Sequence, residues 1–101
     1  MRKITEQAAA AFMAGRNWKS GNTRTECEAD VTTMYLHDNA IARLHHAGPY
    51  VGQIQVTLAG WPTVTTRERL NGIPGVDVYQ RNHEQYINGE PMPTSEWVEV
   101  G

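Results

Sequence analysis

The side chains best suited to bind a ligand lie between residues 60 and 75, where a Trp-Pro pair precedes two threonines and two arginines. An indole ring offers a flat face on which a nucleobase can stack, and guanidinium groups form strong hydrogen bonds with phosphate or carboxylate. Free backbone N–H groups at a helix start also favour anions. The pattern predicts a site for a phosphorylated, base-containing small molecule, formed by Trp61, Thr65, Thr66, Arg67 and Arg69.

A second group of candidate ligand-binding residues follows the first predicted helix, and consists of Arg16, Asn17, Trp18 and Lys19. Here two cations flank a large aromatic ring, which suits a phosphate on one side and a base on the other. Both groups also fit a structural role. In that interpretation the tryptophans belong to the core, the threonines cap a helix, and the cations are solvated or offset a helix dipole.

Catalytic chemistry has less support than binding. The sequence contains no Gly-rich phosphate loop, nucleophile elbow or closely spaced carboxylate pair. His37, Asp38 and the pair His45-His46 could be assembled into a zinc site, but adjacent strand residues point to opposite faces, so that pair cannot share one ion. We therefore expect a binding protein rather than an enzyme, with no catalytic residue, no bound metal and no cofactor.

Composition limits the class of protein. A chain of 101 residues with 40% hydrophobic and 20% charged residues is expected to fold as a single domain over residues 1–101. Its single cysteine, Cys27, excludes an intrachain disulfide and is typical of a reducing cytoplasm. A net charge of −2 argues against sequence-independent nucleic-acid binding. The apolar run from Ala8 to Ala14 is too short to span a bilayer, so no membrane association is expected.

The charges are unevenly distributed along the chain. Residues 1–24 contain five basic residues against the single acid Glu6, whereas residues 77–101 contain five acids against the single arginine Arg81. The two ends can simply occupy different solvated faces. The alternatives are an anion site near the first helix, or head-to-tail contacts between subunits of a homo-oligomer.

The elements that must position these residues follow from the hydrophobic pattern. Four consecutive alanines favour a first helix, capped by Thr5, ended by Gly15 and buried along the face that contains Ala8 and Phe12. Residues 16–22 read as a loop. Alternating segments then predict strands, the clearest being Gln53–Leu58, and Trp97 near the end needs cover from a last edge strand or a neighbouring subunit.

A short second helix is predicted near residues 65–72. Thr65 and Glu68 have the spacing of a capping box, and Asn71-Gly72 would supply a left-handed stop. Such a short helix must be docked to be stable, and Trp61 is the wall that we expect it to contact. The predicted fold is α+β, with one N-terminal helix packed on a curved antiparallel sheet of five to seven strands and this short helix inserted near residues 65–72.

Read together, several blocks of the sequence resemble a family of short tailed-bacteriophage proteins described only as a domain of unknown function. The resemblance covers nearly the whole chain, although residues 45–52 are longer and more polar than the family pattern. It implies a phage origin and the host cytoplasm as the setting, but no activity. The blocks are Gly15–Thr23, Tyr35–His37, Ala59–Trp61, Thr65-Thr66, Glu68–Gly72, Pro74–Val76 and Tyr86–Gly89.

Three functional hypotheses follow. By analogy with other small phage proteins, the chain would be a homo-oligomeric counter-defence sponge that sequesters a phosphorylated, nucleotide-like immune signal. Alternatively, it would inhibit a host protein through its acidic C-terminal segment, with Trp97 and Met92 as anchors. A third hypothesis is weak binding of single-stranded nucleic acid on a sheet face that presents Tyr79, Tyr86 and Arg81.

Overall fold

A computed structural model describes residues 2–100 of the chain. Over these residues the chain forms two helices and nine strands. In chain order they are α1 (Lys3–Ala14), β1 (Trp18–Ser20), β2 (Thr23–Glu28), β3 (Val31–Leu36), β4 (Asn39–His45), β5 (Ile54–Val56), α2 (Val64–Leu70), β6 (Val78–Arg81), β7 (Glu84–Ile87), β8 (Glu90–Pro91) and β9 (Val98–Val100).

The strands form one large sheet and one small sheet. The large sheet has six antiparallel strands in the order β1-β2-β3-β4-β5-β9, and the small one has three in the order β6-β7-β8. The predicted α+β class is therefore confirmed. The large sheet has the predicted five to seven strands, and the small sheet is added to it, because the chain leaves the large sheet after β5, forms α2 and the small sheet, and returns as β9.

Helix α1 packs against one face of the large sheet, called here the inner face. Ala8, Ala11 and Phe12 are buried on the predicted face of the helix, and the small alanines allow a close approach to the strands. Gly15 ends the helix in the left-handed conformation (φ 70°), as predicted. The helix does not begin as predicted: it starts at Lys3, and Thr5 is a buried residue inside it rather than its cap.

The loop predicted for residues 16–22 contains the edge strand β1. Strand β1 pairs with β2, so β2 is an inner strand and not the polar edge strand that its sequence indicates. The alternation of buried and exposed side chains along β2 explains how a strand with a polar sequence can be an inner strand of the sheet. Thr23 and Thr25 are buried on the inner face, while the charged residues between and beyond them face outward.

Helix α2 has different ends from those predicted. Its cap is Thr63, whose hydroxyl accepts a hydrogen bond of 3.1 Å from the backbone N–H of Thr66. The cap residue Asn71 is right-handed (φ −68°), so the predicted left-handed stop was wrong. Gly72 has another role: a Cβ atom there would lie 2.6 Å from Cγ2 of Thr5, so glycine allows α1 and the end of α2 to touch.

The C-terminal segment returns to the large sheet. Strand β9 pairs with β5, which confirms the predicted last edge strand, and Val98 and Val100 pack against the core. Pro91 lies in the edge strand β8, where a missing backbone N–H interrupts no hydrogen bond between strands. Within residues 2–100, neither helix is long and apolar enough to cross a membrane.

Candidate functional site

A ligand-sized cavity of about 520 Å³ opens at one end of the large sheet. We call it the main cavity. Two chain segments form it: the turn between β3 and β4, and the segment that runs from the end of β5 to the first turn of α2. Its lining residues are Leu36, His37, Asn39, Ile41, Leu58, Ala59, Trp61, Thr63, Thr65 and Thr66.

The main cavity combines an apolar floor with a neutral polar rim. Leu36, Ile41 and Leu58 are buried core residues that form the floor. The rim carries an amide, three hydroxyl groups and the ring of His37, and the lining includes no carboxylate and no lysine or arginine. This surface suits a flat ring with hydrogen-bonding edges, and the volume lies within the roughly 300–1,000 Å³ typical of small-molecule sites.

Trp61 stands at the mouth of the main cavity. A left-handed turn at Ala59 and Gly60 (φ 53° and 79°) redirects the chain after Leu58, and backbone bonds from Trp61 to Leu58 (2.8 Å) and from Gly60 to Thr94 (2.6 Å) hold that turn. The indole remains 60% exposed. Trp61 is therefore not a core residue, and it is not the wall against which α2 was expected to pack.

The predicted threonines differ in how much they can offer to a ligand. Thr65 is half-buried in the lining of the main cavity. Thr66 is buried, and its hydroxyl is 2.9 Å from the capping hydroxyl of Thr63. Thr65 therefore has the more accessible hydroxyl, while Thr66 supports the helix cap.

Neither predicted arginine of α2 lines the main cavity. Arg67 donates from one guanidinium nitrogen to the carbonyl of Pro62 (2.9 Å) and to the side chains of Gln80 (3.2 Å) and Gln85 (3.0 Å), so it links α2 to the small sheet. These bonds occupy the group that we expected to bind phosphate.

Arg69 lies inside the protein, with only 2% of its surface exposed. It donates hydrogen bonds to the hydroxyls of Thr23 (3.0 Å) and Thr5 (2.8 Å), and it is 3.7 Å from the carboxylate of Glu68. Burial lowers the pKa of the guanidinium from its ordinary value. Arg69 thus joins α2 to α1 and β2, and it is inaccessible to a ligand.

Glu68 completes this buried connection instead of a capping box. Its carboxylate accepts hydrogen bonds from the hydroxyl of Thr5 and from the backbone N–H of Arg2 (3.4 Å). The hydrogen bond from Thr5 is the main reason why the pKa of Glu68 is lowered. The prediction that Glu68 pairs with Thr65 was wrong, because α2 begins two residues earlier with Thr63 as its cap and Glu68 bonds to Thr5 of α1 instead.

The second predicted group does not join the first. Trp18 is half-buried and packs against the core, and the amide oxygen of exposed Asn17 accepts a hydrogen bond of 2.8 Å from the backbone of Cys27. Arg16 is exposed, and its carbonyl accepts a hydrogen bond from Thr25. Of these residues only Lys19 reaches the same end of the sheet as the main cavity.

A smaller polar cavity, of about 210 Å³, adjoins the main one at that end. Both cavities share His37 in their linings. The polar cavity lies between the β1–β2 turn and the β3–β4 turn, and the backbone N–H of His37 ties these turns together by donating to Asn22 (2.9 Å). The remaining lining residues are Lys19, Gly21, Thr23, Arg24 and Asp38.

The four histidines are dispersed. His46 contacts the hydroxyl of Thr32 on the inner side, whereas the ring of His45 lies 5.9 Å from that of Tyr50 on the opposite side. Over residues 2–100, no group of three or more His, Cys, Asp or Glu side chains could hold a metal ion.

The surfaces expected for the alternative functions are largely occupied by contacts within the protein. Met92 is buried in the core, and the guanidinium of Arg43 covers the ring of Trp97 at 4.1 Å. The rings of Tyr79 and Tyr86 stack on each other, with centroids 5.4 Å apart. In both surfaces one face of each of these aromatic rings is already used by a contact within the protein.

Sequence reasoning missed seven of the ten lining residues of the main cavity, which are Leu36, His37, Asn39, Ile41, Leu58, Ala59 and Thr63. The sequence contains a partial signal, because Asp38 and Asn39 are typical turn residues between two strand-forming segments. The missing information was the topology, which brings that turn beside Trp61.

Comparison with known proteins gives one family. The family model described as Kyanoviridae Gp96 protein matches residues 1–101, which is the whole chain. No curated protein and no solved structure matches it.

Proposed function

The chain belongs to the Kyanoviridae Gp96 protein family, a family of phage proteins, and from this premise we propose that it is a non-enzymatic binding protein of the infected cell. In this proposal it acts in the host cytoplasm as a homo-oligomer and sequesters a small nucleotide-like signal of the host defence. The family match supports the phage origin. The rest of the proposal depends on the main cavity.

The observation that carries the proposal is the exposed indole of Trp61 at the mouth of a ligand-sized cavity. A soluble protein gains little by leaving a tryptophan 60% exposed, but an indole at a cavity mouth can stack on a flat ring. The neutral rim offers Asn39, Thr65 and His37 to the hydrogen-bonding edges of that ring. A nucleobase combines a flat face with such edges.

The lining supports binding rather than turnover. His37 is its only acid–base group, and the adjacent carboxylate of Asp38 is bonded to Arg24 rather than to the histidine. No nucleophile and base are paired across the main cavity, as covalent catalysis would require. A ligand held there should therefore be released unchanged.

The test is calorimetric titration with the four common ribonucleosides and their phosphates. We expect at least one of them to bind, and Trp61→Ala to weaken that binding at least tenfold because it removes the stacking face. Val64→Ala is the matched control: Val64 is 68% exposed and near Trp61 in sequence, but does not line the cavity. Chromatography of the recovered ligand should show the compound that was added.

The proposal fails if no compound binds, or if Trp61→Ala and Val64→Ala have equal effects. Conversion of the ligand into a product would contradict the non-enzymatic part alone.

Inhibition of a host protein is a second candidate, favoured by two exposed apolar side chains that are close in sequence, Trp61 and Val64. This pair replaces Trp97 and Met92 as the expected anchor. In that case both alanine variants should lose capture of the same protein from host lysate, and small molecules should not compete.

A further inference from the structure

The polar cavity beside His37 has a charge arrangement that the proposed function does not use. Two cations, Lys19 and Arg24, line it, and they lie opposite each other in the register of β1 and β2. A single carboxylate, Asp38, lines it as well. The question is which of these groups is free to bind a ligand.

Arg24 already has several partners within the protein. It donates to Glu26 (2.6 Å) and to Asp38, and its guanidinium lies 4.2 Å from the centre of the Tyr35 ring. The two hydrogen bonds to carboxylates raise the pKa of Arg24. Asp38 is paired with this guanidinium, so the charges of Arg24 and Asp38 are already offset within the protein.

Lys19 is in a different position. Among residues 2–100 its ammonium group forms no salt bridge, although it is exposed at the cavity and faces a second cation across the strand pair. An anion placed between the two turns would meet this unpaired charge. The bond between His37 and Asn22 holds the turns together beforehand, so the cavity is already formed.

We propose that the polar cavity binds the phosphate of a ligand whose base occupies the main cavity, with Lys19 as the phosphate-binding residue. The ligand class is therefore a nucleoside phosphate rather than a free base or a nucleoside. This inference rests on the proposed function, because the shared wall at His37 is what places the two groups on one molecule.

The experiment compares each ribonucleoside with its 5′-monophosphate, on the unmodified protein and on Lys19→Gln. We expect the monophosphate to bind the unmodified protein about tenfold more tightly than the nucleoside, which is the effect of one charge-assisted hydrogen bond. Lys19→Gln should abolish this difference and leave nucleoside binding unchanged. Lys3→Gln is the matched control, since Lys3 is an exposed lysine on α1 outside both cavities.

Nucleoside binding also serves as the folding control for Lys19→Gln. Equal affinities of nucleoside and monophosphate for the unmodified protein would overturn the inference and leave the proposed function standing. A phosphate effect that survives Lys19→Gln, or that Lys3→Gln removes equally, would also overturn it. If no nucleoside and no monophosphate binds, the proposed function itself has failed.

Discussion

At the scale of single residues, Arg69 is the clearest case of a side chain that was expected to bind a ligand but instead forms contacts within the fold. An arginine without partners could not be buried, because desolvation of the charge costs several kcal/mol. Here two threonine hydroxyls and a carboxylate surround it. The threonines come from α1 and β2, so a single side chain joins three elements.

We expect Arg69→Ala to lower the free energy of unfolding by about 3 kcal/mol, because it leaves Thr5 and Thr23 without their shared donor and Glu68 without its neighbouring cation. Urea denaturation followed by circular dichroism measures this. Arg81→Ala, which removes an exposed arginine from β6, should change stability by less than about 0.5 kcal/mol. Similar losses of unfolding free energy in the two variants would show that the buried contacts of Arg69 contribute no more to stability than an exposed arginine does.

Glu68 predicts a pH dependence of stability. Its pKa in the folded protein is lowered below the ordinary value of 4.5, chiefly by the hydrogen bond from Thr5. The unfolded chain therefore binds a proton first as the pH falls, and the stabilisation by the carboxylate is present above pH 4.5 and is lost below it.

Gln cannot titrate, so the unfolding free energy of Glu68→Gln should fall less steeply with decreasing pH than that of the unmodified protein. The linkage relation places this difference between about pH 5 and pH 3. Glu6→Gln provides the comparison, because Glu6 is an exposed acid on the same part of α1 as Thr5. An unchanged acid slope in Glu68→Gln would assign the acid sensitivity to other groups.

At the scale of elements, the junction between α2 and the small sheet depends on side chains that bond to backbone. The amide of Asn71 accepts from the N–H of Val78 (2.6 Å) and donates to its C=O (2.9 Å), as a neighbouring strand would do. Arg67 adds the bonds to Gln80 and Gln85. These hydrogen bonds thus fix the small sheet to α2, while Val78 and Ile87 share the hydrophobic core with the large sheet.

Asn71→Ala should reduce stability by about 2 kcal/mol, because it leaves two backbone groups of Val78 without partners. Hydrogen exchange locates the effect. The amide of Val78 should lose more protection than the lower global stability explains, whereas the amides of β3 and β4 should lose only that amount. Loss of protection that is uniform across both sheets would indicate that the small sheet does not open separately.

The elements were largely predictable, whereas their ends and partners were not. Periodicity identified α1 and most strands, because alternation directly reflects burial on one face. The cap of α2 was placed at Thr65 instead of Thr63, since Glu68 has the capping-box spacing but bonds to a residue far away in sequence. Residues 16–22 showed no alternation, and β1 exists because an exposed strand edge was available on β2.

At the scale of the whole molecule, the candidate site is a product of topology. The sequence contributed Trp61 and Thr65 through their chemistry, but it could not pair them with His37, because no local pattern tells which turn lies beside which loop. From the sequence, all four cations of the candidate groups, Arg16, Lys19, Arg67 and Arg69, were expected to contact the ligand. Two of these, Arg67 and Arg69, instead serve the packing of α2, and only Lys19 lines a cavity next to the indole.

Assembly is also a property of the whole molecule, and the proposed function predicts a homo-oligomer. Native mass spectrometry of protein purified from bacteria with active nucleotide-signalling defences should give a multiple of the chain mass of 11.3 kDa, with an additional small mass that denaturation releases. Protein from a host without such defences is the control, and should lack the additional mass. A monomer without added mass from both hosts would contradict the sequestration proposal.

The return of the chain to the large sheet as β9 has a consequence for synthesis on the ribosome. Strand β5 emerges well before its partner β9, since α2 and the whole small sheet are made between them. During that interval one edge of β5 has no neighbour, and an unpaired strand edge is where nascent chains associate wrongly. Rapid translation of residues 57–97 would shorten this exposure, so slow codons in that stretch should reduce the yield of folded protein.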